Sequence, residues 1–147
     1  MPRTAQLYVI SAPSGAGKTS LVQALLAART ELVVSVSHTT RTPRLQEVPG
    51  HDYHFVNTAE FQRLVDGGAF LEHAQVFDNY YGTGREQVSS RLEAGRSVRL
   101  ELYAQGAHLV STTVPRSLSL FILPPPRPIP ISPAKPAATV DLWPGER

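Results

Sequence analysis

A glycine-rich segment near the start of the chain has the residue types that bind phosphate. Residues 12–19 read Ala-Pro-Ser-Gly-Ala-Gly-Lys-Thr, which follows the phosphate-loop pattern G-x-x-x-x-G-K-[ST] with alanine at its first glycine. The glycines allow consecutive backbone N–H groups to curl around a phosphate, and the helix that follows adds the positive end of its dipole. Lys18 can reach the outer phosphates of a nucleotide, and Thr19 offers a hydroxyl to Mg²⁺. The alternative is an ordinary glycine turn that caps a helix.

A pair of arginines and two tyrosines could form a second phosphate site. Arg41 and Arg44 lie in a polar loop broken by prolines, where both guanidinium groups can clamp one phosphate. Tyr53 and Tyr81 can add hydroxyl donors. Tyr81 follows Tyr80, and this pair fits either core packing or exposure at a site.

Two carboxylates have more than one possible role. Glu72 stands in an otherwise apolar stretch and needs a partner if it is buried. A carboxylate can accept both the N1–H and the 2-amino group of guanine, and a site built this way rejects adenine, which lacks that donor pair. A structural pair with an arginine is the alternative for Glu72. Glu101 either approaches Mg²⁺ through water or closes a salt bridge.

The elements that must position these residues alternate between strands and helices. A strand over residues 7–12, a helix over 18–28 and a strand over 32–37 are typical of a parallel sheet. Asn57 and Glu60 predict the start of a helix that ends before Gly67. The pattern predicts further strands at 53–56, 70–76, 98–102 and 118–123, further helices at 85–94 and 105–110, and loops at 41–52 and 78–84.

Composition excludes several classes of function. The 147 residues include no cysteine, so disulfides, zinc-thiolate sites and cysteine nucleophiles are excluded. The net charge is +2 and the sequence has no run of basic residues, so it lacks the basic patch that is typical of nucleic-acid-binding proteins. The first residues have too short an apolar run for a signal peptide or membrane span, so we expect a cytoplasmic protein. His51 and His54 form H-x-x-H without an evident third metal ligand.

The segments SAPSGAGKTS, SVSHTTRTPR, FLEHAQVF and NYYGT are similar, in sequence and order, to those of the bacterial guanylate kinases. The resemblance covers about residues 7–125. It implies an α/β fold: a P-loop core with a parallel sheet flanked by helices, and a small inserted α+β domain that binds GMP. It also implies a nucleoside monophosphate kinase that transfers the γ-phosphoryl group of ATP to GMP with Mg²⁺. Residues 1–36 and 92–125 would form the core, and 37–91 the insertion.

The resemblance also assigns roles by position. The catalytic residues would be Lys18, Arg41 and Arg44. The ATP phosphates would be bound by Ser14, Gly15, Ala16, Gly17, Lys18, Thr19 and Ser20. GMP would be bound by Ser37, Arg41, Arg44, Tyr53, Glu72, Tyr81 and Thr83. Thr19 would hold Mg²⁺, with Glu101 as a possible second contact.

The chain departs from the family in two important places. The segment Leu-Glu-Leu-Tyr-Ala-Gln-Gly at 100–106 has Tyr103 where the family has a second aspartate. After residue 125 the family continues into an arginine-bearing lid and closing elements, whereas eight of the 13 prolines here fall in the last 24 residues. We expect residues 126–147 to be a disordered tail, left by truncation or a frameshift, and activity to be impaired.

Three functions therefore remain open from the sequence. The first is a guanylate kinase with impaired activity. The second is a guanylate-kinase-like module that binds a nucleotide or a partner without catalysis, which the missing lid and Tyr103 favour. The third is a P-loop kinase for another small phosphorylated acceptor. The oligomeric state is not predicted.

Overall fold

The computed structural model describes residues 4–13 and 18–123, which form two four-stranded sheets with four helices. The chain runs through the following elements in order: β1 (Leu7–Ser11), α1 (Lys18–Ala28), β2 (Val33–Val34), β3 (His38–Thr39), β4 (His54–Phe55), α2 (Thr58–Asp66), β5 (Phe70–Val76), β6 (Asn79–Gly84), α3 (Arg85–Glu93), β7 (Val98–Glu101), α4 (Ala104–Thr113) and β8 (Leu118–Phe121). None of the described helices is long and apolar enough to cross a membrane.

The first sheet is parallel and has the order β2-β7-β1-β8. Helices follow β1 and β7 and lead to the next strands, as parallel pairing requires. The apolar core lies on one face of this sheet, where Val9, Val98 and Leu100 pack with Val110 of α4 and Val88 of α3. This arrangement confirms the predicted α/β core with a parallel sheet flanked by helices.

The second sheet has the order β4-β3-β6-β5 and is built from a continuous stretch of chain between β2 and β7. Strands β3 and β4 are parallel, and β6 pairs antiparallel with both β3 and β5. Helix α2 lies beside this sheet and begins at Asn57, whose side chain accepts the Glu60 N–H at 2.8 Å as predicted. The exact limits of the inserted domain, 37–91, stay a prediction.

Two predictions of secondary structure were wrong. The segment 78–84 was predicted as a loop, but its residues 79–84 form β6, because residues 77–78 make a tight turn that folds β6 back on β5. Gly82 in β6 leaves room for the ring of Phe70, whose atoms would lie 3.0 Å from an added Cβ. The strand predicted at 32–37 is limited to β2, and the next paired residues, His38 and Thr39, belong to the second sheet.

An arginine is buried in the middle of the parallel sheet. Arg99 of β7 points away from the apolar core and is 2% exposed. Its Nη1 donates to Oε1 of Glu101 at 2.6 Å, while its Nε has no partner among the described residues. Burial lowers the pKa of Arg99 from its ordinary value. The ion pair therefore stabilises the fold little, because desolvation of the guanidinium offsets its attraction to Glu101.

Replacing this arginine by an apolar side chain of similar length should stabilise the chain. For Arg99→Met we expect the free energy of unfolding to rise by about 1 kcal/mol, because the variant buries no charged guanidinium and leaves no buried Nε without a partner, while the remaining carboxylate is partly exposed. Glu101 keeps access to water, because a third of its side chain is exposed. Urea denaturation measures the change, with Arg96→Met, at an exposed position, as the control. A loss of more than about 1 kcal/mol would show that the ion pair supports the sheet.

Candidate functional site

Several of the side chains that the sequence predicts for a site lie together around one cavity. Ser37, Tyr53, Glu72 and Tyr81 line a single small cavity. The remaining wall comes from Ala74 of β5 and from the end of β7 and start of α4, which contribute Glu101, Leu102, Tyr103 and Gly106. The cavity therefore joins residues of both sheets.

Glu72 is the buried charged group of this cavity. It is 4% exposed, and its Oε1 accepts a hydrogen bond from the hydroxyl of Thr83 at 2.6 Å. The two residues are opposite each other in the β5–β6 pairing, so strand register brings them together. Burial raises the pKa of Glu72, and the Thr83 hydrogen bonds partly oppose that rise. The partner of Glu72 is thus Thr83, and within residues 18–123 Glu72 forms no ion pair with an arginine.

Helix α4 comes unusually close to this carboxylate at Gly106. A Cβ added to Gly106 would lie 2.5 Å from Oε2 of Glu72, far inside van der Waals contact. Gly106 is the third residue of α4, so the carboxylate lies against the first turn, where the helix dipole favours negative charge. The glycine therefore makes space for the position that Glu72 occupies.

Arg41 lies near the cavity and is already paired. Its Nη2 donates to Oε1 of Glu47 at 2.7 Å, and its guanidinium lies 5.5 Å from the centre of the Tyr53 ring. The hydrogen bond that Arg41 donates to Glu47, with a smaller contribution from Tyr81, raises the pKa of Arg41. Glu47 also accepts the backbone N–H of Arg44 at 2.8 Å, which closes a turn of the loop. Sequence analysis did not single out Glu47, although its place three residues after Arg44 is a possible signal.

The tyrosine pair divides between the two roles that the sequence allowed. Tyr80 packs against Phe61 of α2, with 5.5 Å between ring centres, and so belongs to the second sheet's core. Tyr81 points to the cavity and contacts Tyr53 edge-on at 6.1 Å and Tyr103 edge-on at 5.4 Å. Burial, followed by the neighbouring Tyr81, raises the pKa of Tyr103 to about 12. The phenol of Tyr103 is consequently neutral at physiological pH.

The phosphate-loop segment is described in part. Residues 14–17 and the side chain of Thr19 lie outside the described part of the chain, so their predicted roles stay predictions. Lys18 begins α1, directly beyond β1, and its Nζ lies 5.9 Å from the centre of the Tyr103 ring. Ser20 is exposed in the first turn of the same helix. The lysine is thus on the side of α1 that faces the cavity wall.

Of the two predicted metal contacts, Thr19 and Glu101, the structure describes the side chain of Glu101. It lies at the end of β7, opposite Ile10 of β1, and is bound by Arg99. The salt bridge left open by the sequence is therefore present. The described ranges contain no group of three His, Asp or Glu side chains that could hold a metal ion. His54 instead stacks on His38 at 4.7 Å between ring centres, and His51 is exposed.

Comparison with known proteins points to one family. The family model described as guanylate kinase matches residues 4–129. The guanylate kinase of Methylococcus capsulatus is 59% identical over 121 residues, covering 82% of this chain and 59% of the relative. That of Escherichia coli is 53% identical over 121 residues, covering 81% of this chain and 58% of the relative. The chain therefore spans about three fifths of the length of the curated relatives it matches.

A solved structure has the same fold. The crystal structure of guanylate kinase from Anaplasma phagocytophilum superposes with a TM-score of 0.70 at 34% sequence identity. The match covers 80% of this chain and 59% of the other. The fold predicted from the sequence resemblance is thus confirmed.

The burial of Glu72 makes a testable prediction about stability and pH. The pKa of Glu72 is 4.5 in its ordinary state and higher in the folded chain. At a pH between these two values, Glu72 is protonated in the folded chain and ionised in the unfolded chain. The contribution of Glu72 to stability is therefore greatest below pH 4.5 and falls as the pH rises through the folded pKa.

For Glu72→Gln this loss should be absent, because the amide has the shape of the acid and no charge. We expect the Tm of the variant to exceed that of the unmodified chain at neutral pH and to match it in acid. Differential scanning fluorimetry across pH measures the difference, with Glu86→Gln at an exposed position as the control. The burial argument would be wrong if, relative to the unmodified chain, the Tm of Glu72→Gln were lower at neutral pH than in acid.

Proposed function

This chain belongs to the guanylate kinase family, and we propose that it binds GMP and ATP and transfers the γ-phosphoryl group of ATP to GMP. The products would be ADP and GDP. The observation that carries the proposal is the buried carboxylate of Glu72, bonded to Thr83 and facing a cavity shared with Ser37 and Tyr81. Such a kinase would work in the cytoplasm, where both nucleotides are available.

Glu72 supplies the proposed discrimination between purines. Its carboxylate would accept the N1–H and the 2-amino group of guanine, while Ser37 and Thr83 offer further hydroxyl groups nearby. Adenine presents no donor at the ring nitrogen and no 2-amino group, so the buried carboxylate would accept no hydrogen bond from the base and would keep only that of Thr83. Sites that bind a substrate through buried polar groups reject analogues lacking the matching group by large factors.

The GMP phosphate would bind to Arg41 and Arg44, with Tyr53 and Tyr81 beside them. Arg41 is paired with Glu47 near the surface, where both side chains are partly exposed. A phosphate can therefore approach the guanidinium, whose fork of N–H groups can serve two acceptors. The side chain of Arg44 is exposed and can turn toward the same phosphate.

The donor side would use the glycine-rich loop. Lys18 would contact the ATP phosphates together with the residues of the 14–20 segment. Glu101 fits a role in holding Mg²⁺, since it offers hard carboxylate oxygen at the strand end next to β1 and keeps a third of its side chain exposed. When bound, Mg²⁺ neutralises charge on the transferring phosphoryl group. The chain's own part is to hold the two nucleotides in line and surround the phosphates with positive charge.

Production of ADP tests the proposal directly. We expect ADP from ATP–Mg²⁺ in a coupled assay when GMP is the acceptor, and at least about 100-fold less with AMP, because the Glu72 site discriminates polar groups. Lys18→Ala should abolish the GMP-dependent rate. Lys135→Ala, which replaces the other lysine of the chain, is the matched control.

The two alternatives predict different results in the same experiment. GMP binding measured by calorimetry, without turnover from folded protein, would favour a nucleotide-binding module. Equal rates with GMP and AMP would favour a kinase for another phosphorylated acceptor. If the folded chain neither binds GMP nor produces ADP, the proposed function is wrong.

Gly106 offers a second test of the base site. In Gly106→Ala the new methyl group would meet Oε2 of Glu72 at 2.5 Å, so the carboxylate must move. We expect KM for GMP to rise at least about tenfold while KM for ATP changes little, because displaced polar groups lose their matched hydrogen bonds. Ala107→Gly, at the next position of α4, is the control for helix stability. An unchanged KM for GMP would show that Glu72 does not contact the base.

A further inference from the structure

The cavity beside Glu72 is smaller than a nucleobase. Its volume is about 30 Å³, which leaves room for about one or two water molecules. Glu72, which lines this cavity, is almost completely buried. A purine can therefore reach the Glu72 carboxylate after part of the cavity wall has moved.

Most of this wall is fixed by the fold. Glu72 and Leu102 are buried, and Glu101 is held by Arg99 at 2.6 Å. Tyr103 differs from these neighbours because it is 45% exposed and stands at the N-cap of α4, where its side chain makes no capping hydrogen bond. Its ring is thus the large part of the wall that can rotate toward solvent without disturbing a strand or a helix.

Tyr103 is held in its closed position by contacts with two side chains. Its ring packs edge-on against Tyr81, and the ammonium of Lys18 lies 5.9 Å from the ring centre. A cation–π contact of this kind at a partly exposed ring is weak. It is much weaker than the attraction of a lysine to a polyphosphate, so a donor nucleotide would draw Lys18 away from Tyr103.

We propose that Tyr103 is the gate of the acceptor pocket, closed by its contacts with Tyr81 and Lys18 and opened more easily when Lys18 turns to the donor phosphates. The inference rests on the proposed function, because it takes GMP as the acceptor and ATP as the donor. Since Lys18 contributes to closure, donor and acceptor raise each other's affinity by the same factor. Tyr103 thereby determines access to the site rather than chemistry.

Two substitutions separate the gate from the helix cap. Tyr103→Ser removes the ring and places a favourable N-cap residue at the start of α4, so the variant should fold at least as well. Tyr103→Phe keeps the ring and its contact with Lys18. GMP affinity is measured by isothermal titration calorimetry, with and without a non-hydrolysable ATP analogue and Mg²⁺, and thermal unfolding confirms that each variant is folded.

If Tyr103 is the gate, removal of its ring should raise the affinity of the chain for GMP. A pocket that is closed about nine tenths of the time lowers apparent affinity about tenfold, so Tyr103→Ser should bind GMP about tenfold more tightly than the unmodified chain. The analogue should raise GMP affinity in the unmodified chain and in Tyr103→Phe, and leave it unchanged in Tyr103→Ser.

The results that overturn the gate differ from those that overturn the proposed function. If GMP binds and Tyr103→Ser binds it no more tightly than the unmodified chain, the gate is wrong and the proposed function stands. An analogue that leaves GMP affinity unchanged in the unmodified chain removes the link to Lys18. If no variant binds GMP, including Tyr103→Ser with its opened pocket, both the proposed function and the gate are wrong.

Discussion

The burial of the Glu72 carboxylate constrains the structure on every side of it. A buried carboxylate needs hydrogen-bond donors and favourable dipoles, and it needs them at fixed positions. Thr83 supplies a donor across the β5–β6 ladder, so a shift of register by one residue would turn it to the other face of the sheet. Gly106 supplies the space that lets the first turn of α4 approach. Glu72 therefore helps to position the hairpin of the second sheet against α4, beside the apolar packing that joins Leu71 and Val110 in one core.

The parallel sheet positions three other residues near the cavity, which are Lys18, Glu101 and Tyr103. Strands β1 and β7 are neighbours, and each ends at the same edge of the sheet before a helix begins. Lys18 starts the helix beyond β1, and Tyr103 caps the helix beyond β7. Two residues far apart in the chain thus come within reach, and Glu101 lies at the same edge. Ligands of open parallel sheets bind at this edge because the helix N-termini and loops converge there.

Much of this arrangement was predictable from the sequence. The motif order predicted the family and fold. The apolar pattern predicted α1 and β5, and the capping residues with the glycine that follows predicted α2, with limits within about a residue or two. The β5–β6 hairpin was missed because its turn does not use the usual Asn-Gly or Asp-Gly pair. Phe77 adopts the positive φ of 53° that such turns favour. A run of Asn, Tyr and Gly in β6 resembles a loop until the strands on both sides of it are known.

The partners of the predicted side chains could not be predicted in the same way. Gly106 gains its role from Glu72, which is distant in the sequence. Glu47 and Arg99 have partners close in the chain, but the burial of Arg99 follows from its place in the sheet. The choice between two roles for Tyr80 and Tyr81 depended on which face of β6 met α2, a consequence of sheet register. Local sequence identifies a residue that needs a partner, but tertiary packing determines which partner it finds.

The charged groups near the cavity fall into two kinds, and the difference bears on how a site of this type can bind phosphate. Lys18 lies over a tyrosine ring, a weak contact that a phosphate can replace at small cost. Arg41 is paired with Glu47, and its fork of N–H groups can serve a phosphate as a second acceptor beside that carboxylate. Arg99 and Glu72 are buried, and exchange of their partners would leave a charge unsatisfied in a medium of low dielectric constant. Under the proposed function, the cations that would contact phosphate therefore keep some exposure to solvent, whereas the carboxylate that would discriminate between bases is buried.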